Sequence, residues 1–269
     1  MIPSTEIARL FQKITQARHC VALTGAGVST LSGIRDFRGK NGLYKEMDAE
    51  KIFDIDYFFQ DPSFYYKAAG DFIYNIHERE ASVVHTTLAK LERLGFLKAL
   101  ITQNIDLLHQ KGGSRRVTEI HGSPSVHYCP DCAAPRDIEK FARRERGEGA
   151  LPPEFMGFDE AAAIVKAGEL PRCSRCGRVL KPAITFFGES LPARALREAE
   201  AEAGKADLLL VLGTSLTVYP AAGLPEFTLR GKGEIVIVNN METPLDRRCS
   251  MRFDDLGEVF EGLNLLLKE

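Results

Sequence analysis

Apolar residues fall at two kinds of spacing along the chain, and the change between them predicts helices and strands in turn. Behind Pro3, apolar residues recur at the spacing of one helix face, at Ile7, Leu10, Phe11, Ile14 and Ala17. The uninterrupted run 20–24 that follows predicts a short buried strand. The first predicted unit is therefore a helix followed by a strand.

The same order recurs further along the first half. Residues 84–94 carry an apolar stripe that predicts a helix, which Gly95 can end, and 98–102 then predicts a strand. Residues 117–120 are another strand candidate.

The later half repeats the alternation. A helix is predicted over about 192–203, with Gly204 as its stop, before the apolar run 207–212. Because this run is short and uniformly apolar after Asp207, it is typical of a strand in the middle of a parallel sheet. A further strand over 234–238 and an amphipathic helix over 256–267 follow. The pattern predicts an α/β fold with a doubly wound parallel sheet.

Two segments interrupt this alternation. Residues from about 39 to 82 are rich in aromatic side chains and predict short helices and a mobile loop. Residues from about 126 to 178 hold four paired cysteines and five prolines, and 159–168 within them predicts a short helix. Clustered cysteines do not make an apolar core, so a metal is expected to hold this small module together.

Composition and charge exclude several classes of protein. With 269 residues, 44% of them hydrophobic and 27% charged, the chain can bury a full core, which excludes disordered and fibrous proteins. The 35 basic and 37 acidic residues nearly cancel, so no overall field attracts nucleic acid or an anionic membrane. No apolar run reaches the length of a membrane span, and the first residues lack the pattern of a secretory signal. We therefore expect a cytoplasmic protein.

Two Cys-x-x-Cys pairs predict a metal site. Cys129 and Cys132 form one pair, and Cys173 and Cys176 form the other, with residues 133–172 between them. Four thiolates in tetrahedral reach suit a closed structural zinc ion without a catalytic position. The alternative, two redox dithiols, is less favoured because neither pair begins a helix in a βαβ unit.

The first predicted strand ends in a turn with two glycines. Gly25 and Gly27 would let the backbone approach a pyrophosphate at the start of the next helix. The usual dinucleotide pattern has a third glycine where this chain has Thr30, so an ordinary tight turn is the alternative. The polar loop 32–39 follows, with two arginines, an aspartate and a phenylalanine between glycines, a mixture that favours a ligand site.

Polar residues also follow the other predicted strands, at 102–106, 213–215 and 238–240. The carboxyl ends of parallel strands form one crevice, so these segments suit a dinucleotide. His121, at the end of another strand, is the histidine best placed for proton transfer, with Gly122 expected to leave its ring accessible. The remaining histidines are expected at the surface: His19, His77, His85, His109 and His127.

Taken together, and in their order along the chain, these motifs closely resemble those of the sirtuin family of NAD-dependent protein deacylases. They lie at 25–29, 33–38, 102–106, 121–122, the two cysteine pairs, 186–189, 213–215 and 238–239. The resemblance implies a Rossmann-type NAD-binding domain made of 1–125 and 179–269, with a zinc-binding module at 126–178. It further implies one structural zinc ion, NAD as a consumed co-substrate, and an acyl-lysine peptide in the cleft between the two parts.

The resemblance also implies roles for individual residues. The catalytic residues would be His121, Asn104 and Asp106. Those that bind NAD would be Gly25, Ala26, Gly27, Ser29, Asp36, Phe37, Arg38, Gln103, Asn104, Ile105, Asp106, Gly213, Thr214, Ser215, Asn239, Asn240 and Met241. Asn104 and Asp106 would hold the nicotinamide end, and the acyl oxygen would attack the ribose carbon that nicotinamide leaves. His121 would act as general base for the ribose hydroxyl that adds to the acyl carbon, and water would finally yield free lysine and O-acyl-ADP-ribose.

The substrate peptide is expected to add as a strand between Gly188-Glu189 and Val218-Tyr219. The implied substrate-binding residues are Phe187, Gly188, Glu189, Val218, Tyr219 and Tyr44. Sirtuins that remove acidic acyl groups carry a Tyr-x-x-Arg pair, but here Tyr65 and Tyr66 are followed three positions later by alanines. An acetyl group is therefore favoured over acidic ones, although an apolar pocket would also admit longer chains.

Three alternatives remain. The same site would serve a protein ADP-ribosyltransferase. A zinc-ribbon binding module is a different class, which the net charge of −2 disfavours. A hydride-transferring dehydrogenase would need an acidic ribose anchor that the sequence lacks. We expect no nucleic-acid or membrane partner, and a monomer by default.

Overall fold

The computed structural model describes residues 4–36, 49–70, 73–75, 78–142 and 150–267. Its strands are β1 (Cys20–Thr24), β2 (Leu97–Thr102), β3 (Val117–Glu119), β4 (Gly122–Tyr128), β5 (Phe155–Gly157), β6 (Lys181–Ile184), β7 (Leu208–Leu212), β8 (Glu234–Val238) and β9 (Met251–Phe253). Its α-helices are α1 (Thr5–Gln16), α2 (Ala49–Ile52), α3 (Ile55–Gln60), α4 (Pro62–Ala69), α5 (Val83–Arg93), α6 (Leu108–Lys111), α7 (Pro135–Ala142), α8 (Phe158–Lys166), α9 (Ala193–Lys205), α10 (Leu224–Arg230) and α11 (Leu256–Leu266). None of these helices is both long and apolar enough to cross a bilayer.

Six strands form one parallel sheet in the order β3-β2-β1-β7-β8-β9. The chain builds outwards from β1 in one direction and from β7 in the other, so the strand order reverses between these two strands. Ligands bind at such a switch point, outside the carboxyl ends of the strands. The predicted central position of β7 is confirmed.

Helices cover both faces of this sheet, because successive side chains of a strand point to opposite sides. Cys20 and Ala22 pack in one core cluster with α1, α5 and α11. Val21 and Leu23 pack in another cluster with α9 and α10. The doubly wound α/β prediction is therefore confirmed.

A second, antiparallel sheet has the order β5-β4-β6 and packs with α7 and α8. It includes residues on both sides of the 126–178 segment, since β4 begins at Gly122 and β6 ends at Ile184. The division of the chain into domains remains a prediction. The short helix predicted at 159–168 is present as α8, and Gly168 after it has a φ of +80°.

One helix end was predicted wrongly. Gly204 was expected to stop its helix, but α9 continues through it to Lys205, and the extended conformation of Ala206 ends the helix. A Cβ at Gly204 would meet no atom within 4 Å, so the position tolerates glycine without requiring it. Gly95, in contrast, follows α5 with a φ of +78°, as its predicted role requires.

The aromatic insert forms the short helices that were predicted, α2, α3 and α4. Asp54 accepts a hydrogen bond from the Tyr57 backbone at 2.7 Å and so caps α3, and Asp61 caps α4 in the same way. Residues 39–48, 71–72 and 76–77 of the insert lie outside the described residues, and the mobile loop stays a prediction.

Candidate functional site

The carboxyl ends of the central strands open into a cleft of about 940 Å³. Most of the predicted site residues line it: Gly25, Ala26, Gly27, Asp36, Gln103, Asn104, Ile105, His121, Phe187, Gly188, Glu189, Gly213, Thr214, Ser215, Val218, Tyr219, Asn239, Asn240 and Met241. Ser29 and Asp106 are buried beside it. Phe37, Arg38 and Tyr44 lie outside the described residues. Positions far apart in sequence thus meet at one place.

The two glycines after β1 allow two strand-end turns to pack together. A Cβ at Gly27 would lie 2.7 Å from the Cα of Gly213, and a Cβ at Gly25 would lie 2.7 Å from the Cβ of Thr214. Gly213 itself has a φ of +60° and no room for a side chain against Val28. These glycines are therefore required by contacts within the protein, which the sequence pattern did not reveal.

A buried polar network joins the first turn to the segment after β2. The Ser29 hydroxyl donates to Asp106 Oδ2 at 2.5 Å and accepts from Asn104 Nδ2 at 3.1 Å. Asn104 Nδ2 also donates to the Gly25 carbonyl at 3.2 Å, so its Oδ1 is the amide atom that remains for a ligand. Burial raises the pKa of Asp106, while the Ser29 hydrogen bond opposes that rise. The network fixes the Asn104 amide at the cleft.

His121 is oriented by the backbone of the neighbouring strand end. Its Nδ1 lies 2.8 Å from the Gln103 carbonyl oxygen, which can only accept. The proton is therefore on Nδ1, and Nε2 carries the lone pair of the neutral ring. Burial lowers the pKa of His121, and the Gln103 hydrogen bond acts in the opposite direction. The ring is thus available as a proton acceptor near neutral pH.

Gly122 serves a different purpose from the predicted one. Its φ is +76°, and a Cβ there would lie 2.2 Å from the Ala183 carbonyl oxygen of β6. On the same side, the Thr185 N–H donates to the His121 carbonyl at 2.8 Å. Gly122 therefore permits the close approach of β4 and β6 that holds His121, and does not serve to expose its ring.

Gln103 connects two of the strand ends. Its backbone N–H donates to the Thr24 carbonyl at 3.0 Å, and its side-chain Nε2 donates to Thr214 Oγ1 at 3.0 Å. Because its carbonyl also orients His121, one residue links the turn after β7 to the histidine.

The turn after β8 closes the far end of the cleft. Asn239 Nδ2 donates to the Met241 carbonyl at 2.8 Å, and Arg252 Nη2 donates to the same oxygen at 3.0 Å. Arg252 also pairs with Asp246 at 3.0 Å. The Asn239 amide nitrogen is thus engaged in holding its own turn.

The segment after β6 forms the other wall. The Phe187 N–H donates to the Phe53 carbonyl at 2.7 Å, and the Ile55 N–H donates to the Phe187 carbonyl at 3.1 Å. Across the cleft, Tyr219 is 77% exposed. Gly188 and Tyr219 both line the cleft.

Sequence analysis missed one charged residue at this wall. Lys181 is buried, and its Nζ lies 2.9 Å from Glu189 Oε2. Burial lowers the pKa of Lys181, and Glu189 opposes the change. The one available signal was a lysine within the largely apolar run 179–187.

Three of the histidines expected at the surface are buried: His85, His109 and His127. Tyr74 Oη lies 2.7 Å from His127 Nε2, and Thr24 Oγ1 lies 2.9 Å from His109 Nε2. A neutral imidazole that has a hydrogen-bond partner can take the place of an apolar ring in a core. The position of a histidine in the sequence does not show whether it will find such a partner. Burial lowers the pKa of His127 to about 3 and that of His85 to about 4. His19 is half-buried against Glu202 at 2.8 Å, and His77 is outside the described residues.

Tyr65 and Tyr66 do not line the cleft. They are buried in the core cluster that the insert shares with the cysteine module. Tyr66 Oη donates to the Leu180 carbonyl at 2.5 Å, so this tyrosine joins the insert to the segment before β6.

The four paired cysteines converge as predicted. Their sulfur atoms all lie within 4.8 Å of one another, at Cys129, Cys132, Cys173 and Cys176. The pKa of Cys176 is lowered to about 7, chiefly by a hydrogen bond from the backbone N–H of Arg178, and this favours a thiolate at Cys176. Four thiols at this spacing suit a structural zinc ion and occupy all four tetrahedral positions.

Comparison with known proteins agrees with this geometry. The family model described as the Sir2 family matches residues 25–220. A Thermotoga maritima protein named NAD-dependent protein deacetylase is 40% identical over 241 residues, covering 90% of this chain and 89% of that one. A solved Sir2 variant with a deacetylated p53 peptide and 3'-O-acetyl ADP ribose is 37% identical, with a TM-score of 0.83 over 97% of each chain. A Sir2 complex with p53 peptide and NAD+ is 36% identical, with a TM-score of 0.81 over 97% of each chain. Both the fold and the sequence place this chain in the Sir2 family.

Proposed function

We propose that the protein is an NAD-dependent protein lysine deacetylase, which transfers the acyl group of an acyl-lysine to ADP-ribose and releases nicotinamide. The observation that carries the proposal is His121, fixed by Gln103 at 2.8 Å in the cleft that the glycine turns and Asn104 also line. The named Thermotoga relative, at 40% identity, supports the same activity.

The strand-end turns would hold NAD. The backbone of Gly25–Gly27 and of Gly213–Ser215 would contact the phosphates and ribose, and the 239–241 turn would contact the adenosine end. Asn104 Oδ1 would face the nicotinamide end, with Ser29 and Asp106 fixing the amide from behind. When bound, NAD supplies an electron-poor ribose carbon on loss of nicotinamide, and the acyl oxygen of the substrate is the nucleophile.

His121 would act as the general base. Its Nε2 accepts a proton from a ribose hydroxyl, while Nδ1 keeps its proton on the Gln103 carbonyl. The positive charge that forms on the ring is stabilised by that carbonyl dipole. The zinc ion would have no part in this chemistry and would instead stabilise the cysteine module.

The peptide would bind between the 187–189 segment and Val218-Tyr219, where main-chain pairing tolerates many sequences. We propose acetyl as the preferred group over acidic acyl groups. Tyr65 and Tyr66 are held in the core, and the alanines that follow them offer no cation for an acyl carboxylate.

We propose a cytoplasmic monomer. The support is compositional: a set of four thiols requires a reducing compartment, and the net charge of −2 does not favour a nucleic-acid or membrane surface.

The test incubates purified, zinc-loaded protein with NAD and an acetyl-lysine peptide, and follows all products by mass spectrometry. We expect nicotinamide, free lysine peptide and O-acetyl-ADP-ribose in equal amounts, with a succinyl-lysine peptide as the control that reacts far more slowly. ADP-ribose attached to protein would indicate the transferase instead, and lysine freed while NAD stays intact would refute the mechanism.

A further inference from the structure

A fully buried lysine lies in the wall of the cleft, outside the proposed catalytic group. Lys181 is 1% exposed, and its ammonium group stands 4.3 Å from the centre of the Phe186 ring. All three of its protons have acceptors, because Nζ lies 2.7 Å from the Ile184 carbonyl, 3.3 Å from the Pro182 carbonyl and 2.9 Å from Glu189. The charge is therefore buried and hydrogen-bonded.

Glu189 uses the same oxygen to close a turn. Its Oε2 accepts the Phe186 backbone N–H at 2.8 Å, and its own N–H donates to the Phe186 carbonyl at 3.0 Å. Gly188 has a φ of +94°, a conformation that the tight turn requires. We call residues 186–189 the FFGE turn.

The FFGE turn is attached at two places. Phe187 pairs with the backbone of Phe53 and Ile55 on the side of the insert, and Glu189 is anchored on Lys181 at the opposite end. Between these anchors, the turn lines the cleft in which the peptide is proposed to lie. Glu189 also lines a second cavity of about 1330 Å³ that Lys181 borders, so the ion pair stands in the wall between the two spaces.

We infer that Lys181 is a positioning residue for the substrate: through Glu189 it holds the FFGE turn in the conformation that receives the acyl-lysine peptide. This inference rests on the proposed function. A buried ion pair adds little stability over apolar residues of similar size, because desolvation of two charges offsets their attraction. The directional hydrogen bonds of the Lys181–Glu189 pair instead specify one conformation of the FFGE turn.

The main variant is Lys181→Met, which removes the anchor and leaves Glu189 in place; the Glu189 side chain is 25% exposed, so its carboxylate is not left buried alone. We expect this protein to fold and keep its zinc, while the KM for the acetyl-lysine peptide rises about tenfold or more. The KM for NAD and kcat at saturating peptide should stay within about twofold, since the strand-end turns that would hold NAD are untouched. This split distinguishes positioning of the peptide from a general weakening of the fold.

A second variant acts as the control. Thr228→Val removes a buried hydrogen bond to the Ala203 carbonyl, 2.7 Å long and distant from the cleft, and should lower the melting temperature without changing either KM.

Steady-state kinetics and direct peptide binding by fluorescence anisotropy together decide the question. A folded Lys181→Met protein with the wild-type peptide KM would overturn the inference, and so would an equal rise in the KM for NAD. If the wild type consumed no NAD with the peptide, the proposed function would fail. Unchanged peptide binding in Lys181→Met would instead refute the positioning role alone.

Discussion

Gly122 allows a test of whether backbone geometry sets the position of the proposed base. The glycine directly follows His121 and has a φ of +76°. Its missing Cβ would lie 2.2 Å from the Ala183 carbonyl oxygen, whereas real Cβ contacts stay beyond 3.0 Å. In a Gly122→Ala variant, β4 and β6 must therefore separate by about 0.8 Å next to His121.

Gly95 provides a matched control, because it has nearly the same φ, +78°, but no atom within 4 Å of its missing Cβ. Gly95→Ala therefore carries only the cost of a left-handed alanine, about 1–2 kcal/mol of unfolding free energy. Gly122→Ala carries that cost and an overpacking term of about 1–3 kcal/mol. A displacement of nearly 1 Å at a catalytic group costs about 100-fold in rate.

The assay compares urea unfolding and deacetylation kcat/KM for both variants. We expect Gly95→Ala to lose stability with unchanged kcat/KM, and Gly122→Ala to lose more stability and about 100-fold in kcat/KM while keeping its zinc. If the two variants matched each other in stability and in rate, the close approach of β4 and β6 would not be what positions His121.

Three further predictions concern the base, the metal and the buried histidines. His121→Asn should abolish peptide-dependent nicotinamide release without lowering the melting temperature by more than a few degrees. In the wild type, burial lowers the pKa of His121, so kcat/KM should decline with acid only below pH 6.5. A midpoint of that decline above pH 6.5 would contradict this. Cys129→Ala, or a strong chelator, should release one equivalent of zinc, measured by metal analysis, and lower the melting temperature; unchanged zinc content would refute the four-thiol site. With a folded pKa of about 3 against about 6.5 when unfolded, His127 binds a proton only on unfolding between these values, so its contribution to the unfolding free energy should fall by about 1.4 kcal/mol for each pH unit from about 6.5 down to about 3. His127→Phe should show that much less pH dependence, and an identical slope in both proteins would contradict the buried neutral ring.

Periodicity predicted the sheet because each central strand must be apolar on both faces. The run 207–212 satisfied this condition and lies at the centre as β7. The metal site was equally predictable, since two Cys-x-x-Cys pairs leave few other arrangements for four thiols. Both signals are local in sequence, which is why they could be read without the fold.

Contacts between distant segments were not predictable. Lys181 was not identified because its partner Glu189 becomes close only when the FFGE turn folds back on β6. Gly27 lies in the turn after β1, as predicted, but its need for glycine comes from Gly213, in another strand end. The burial of His127 likewise depends on Tyr74, from the aromatic insert.

The site is assembled by protein groups that hold one another through hydrogen bonds. Asn104 is fixed by Gly25 and Ser29, and Gln103 bonds Thr214 with its side chain while its carbonyl orients His121. Preorganised groups of this kind need no rearrangement at the moment of reaction. Because the links run through the Gln103 segment, a displacement there would move the proposed base relative to the turns proposed to hold NAD. In this proposal, one segment places the base and the co-substrate, and another, the FFGE turn, places the peptide. That separation is why we expect changes at Lys181 to affect the peptide and changes at Gly122 to affect the rate.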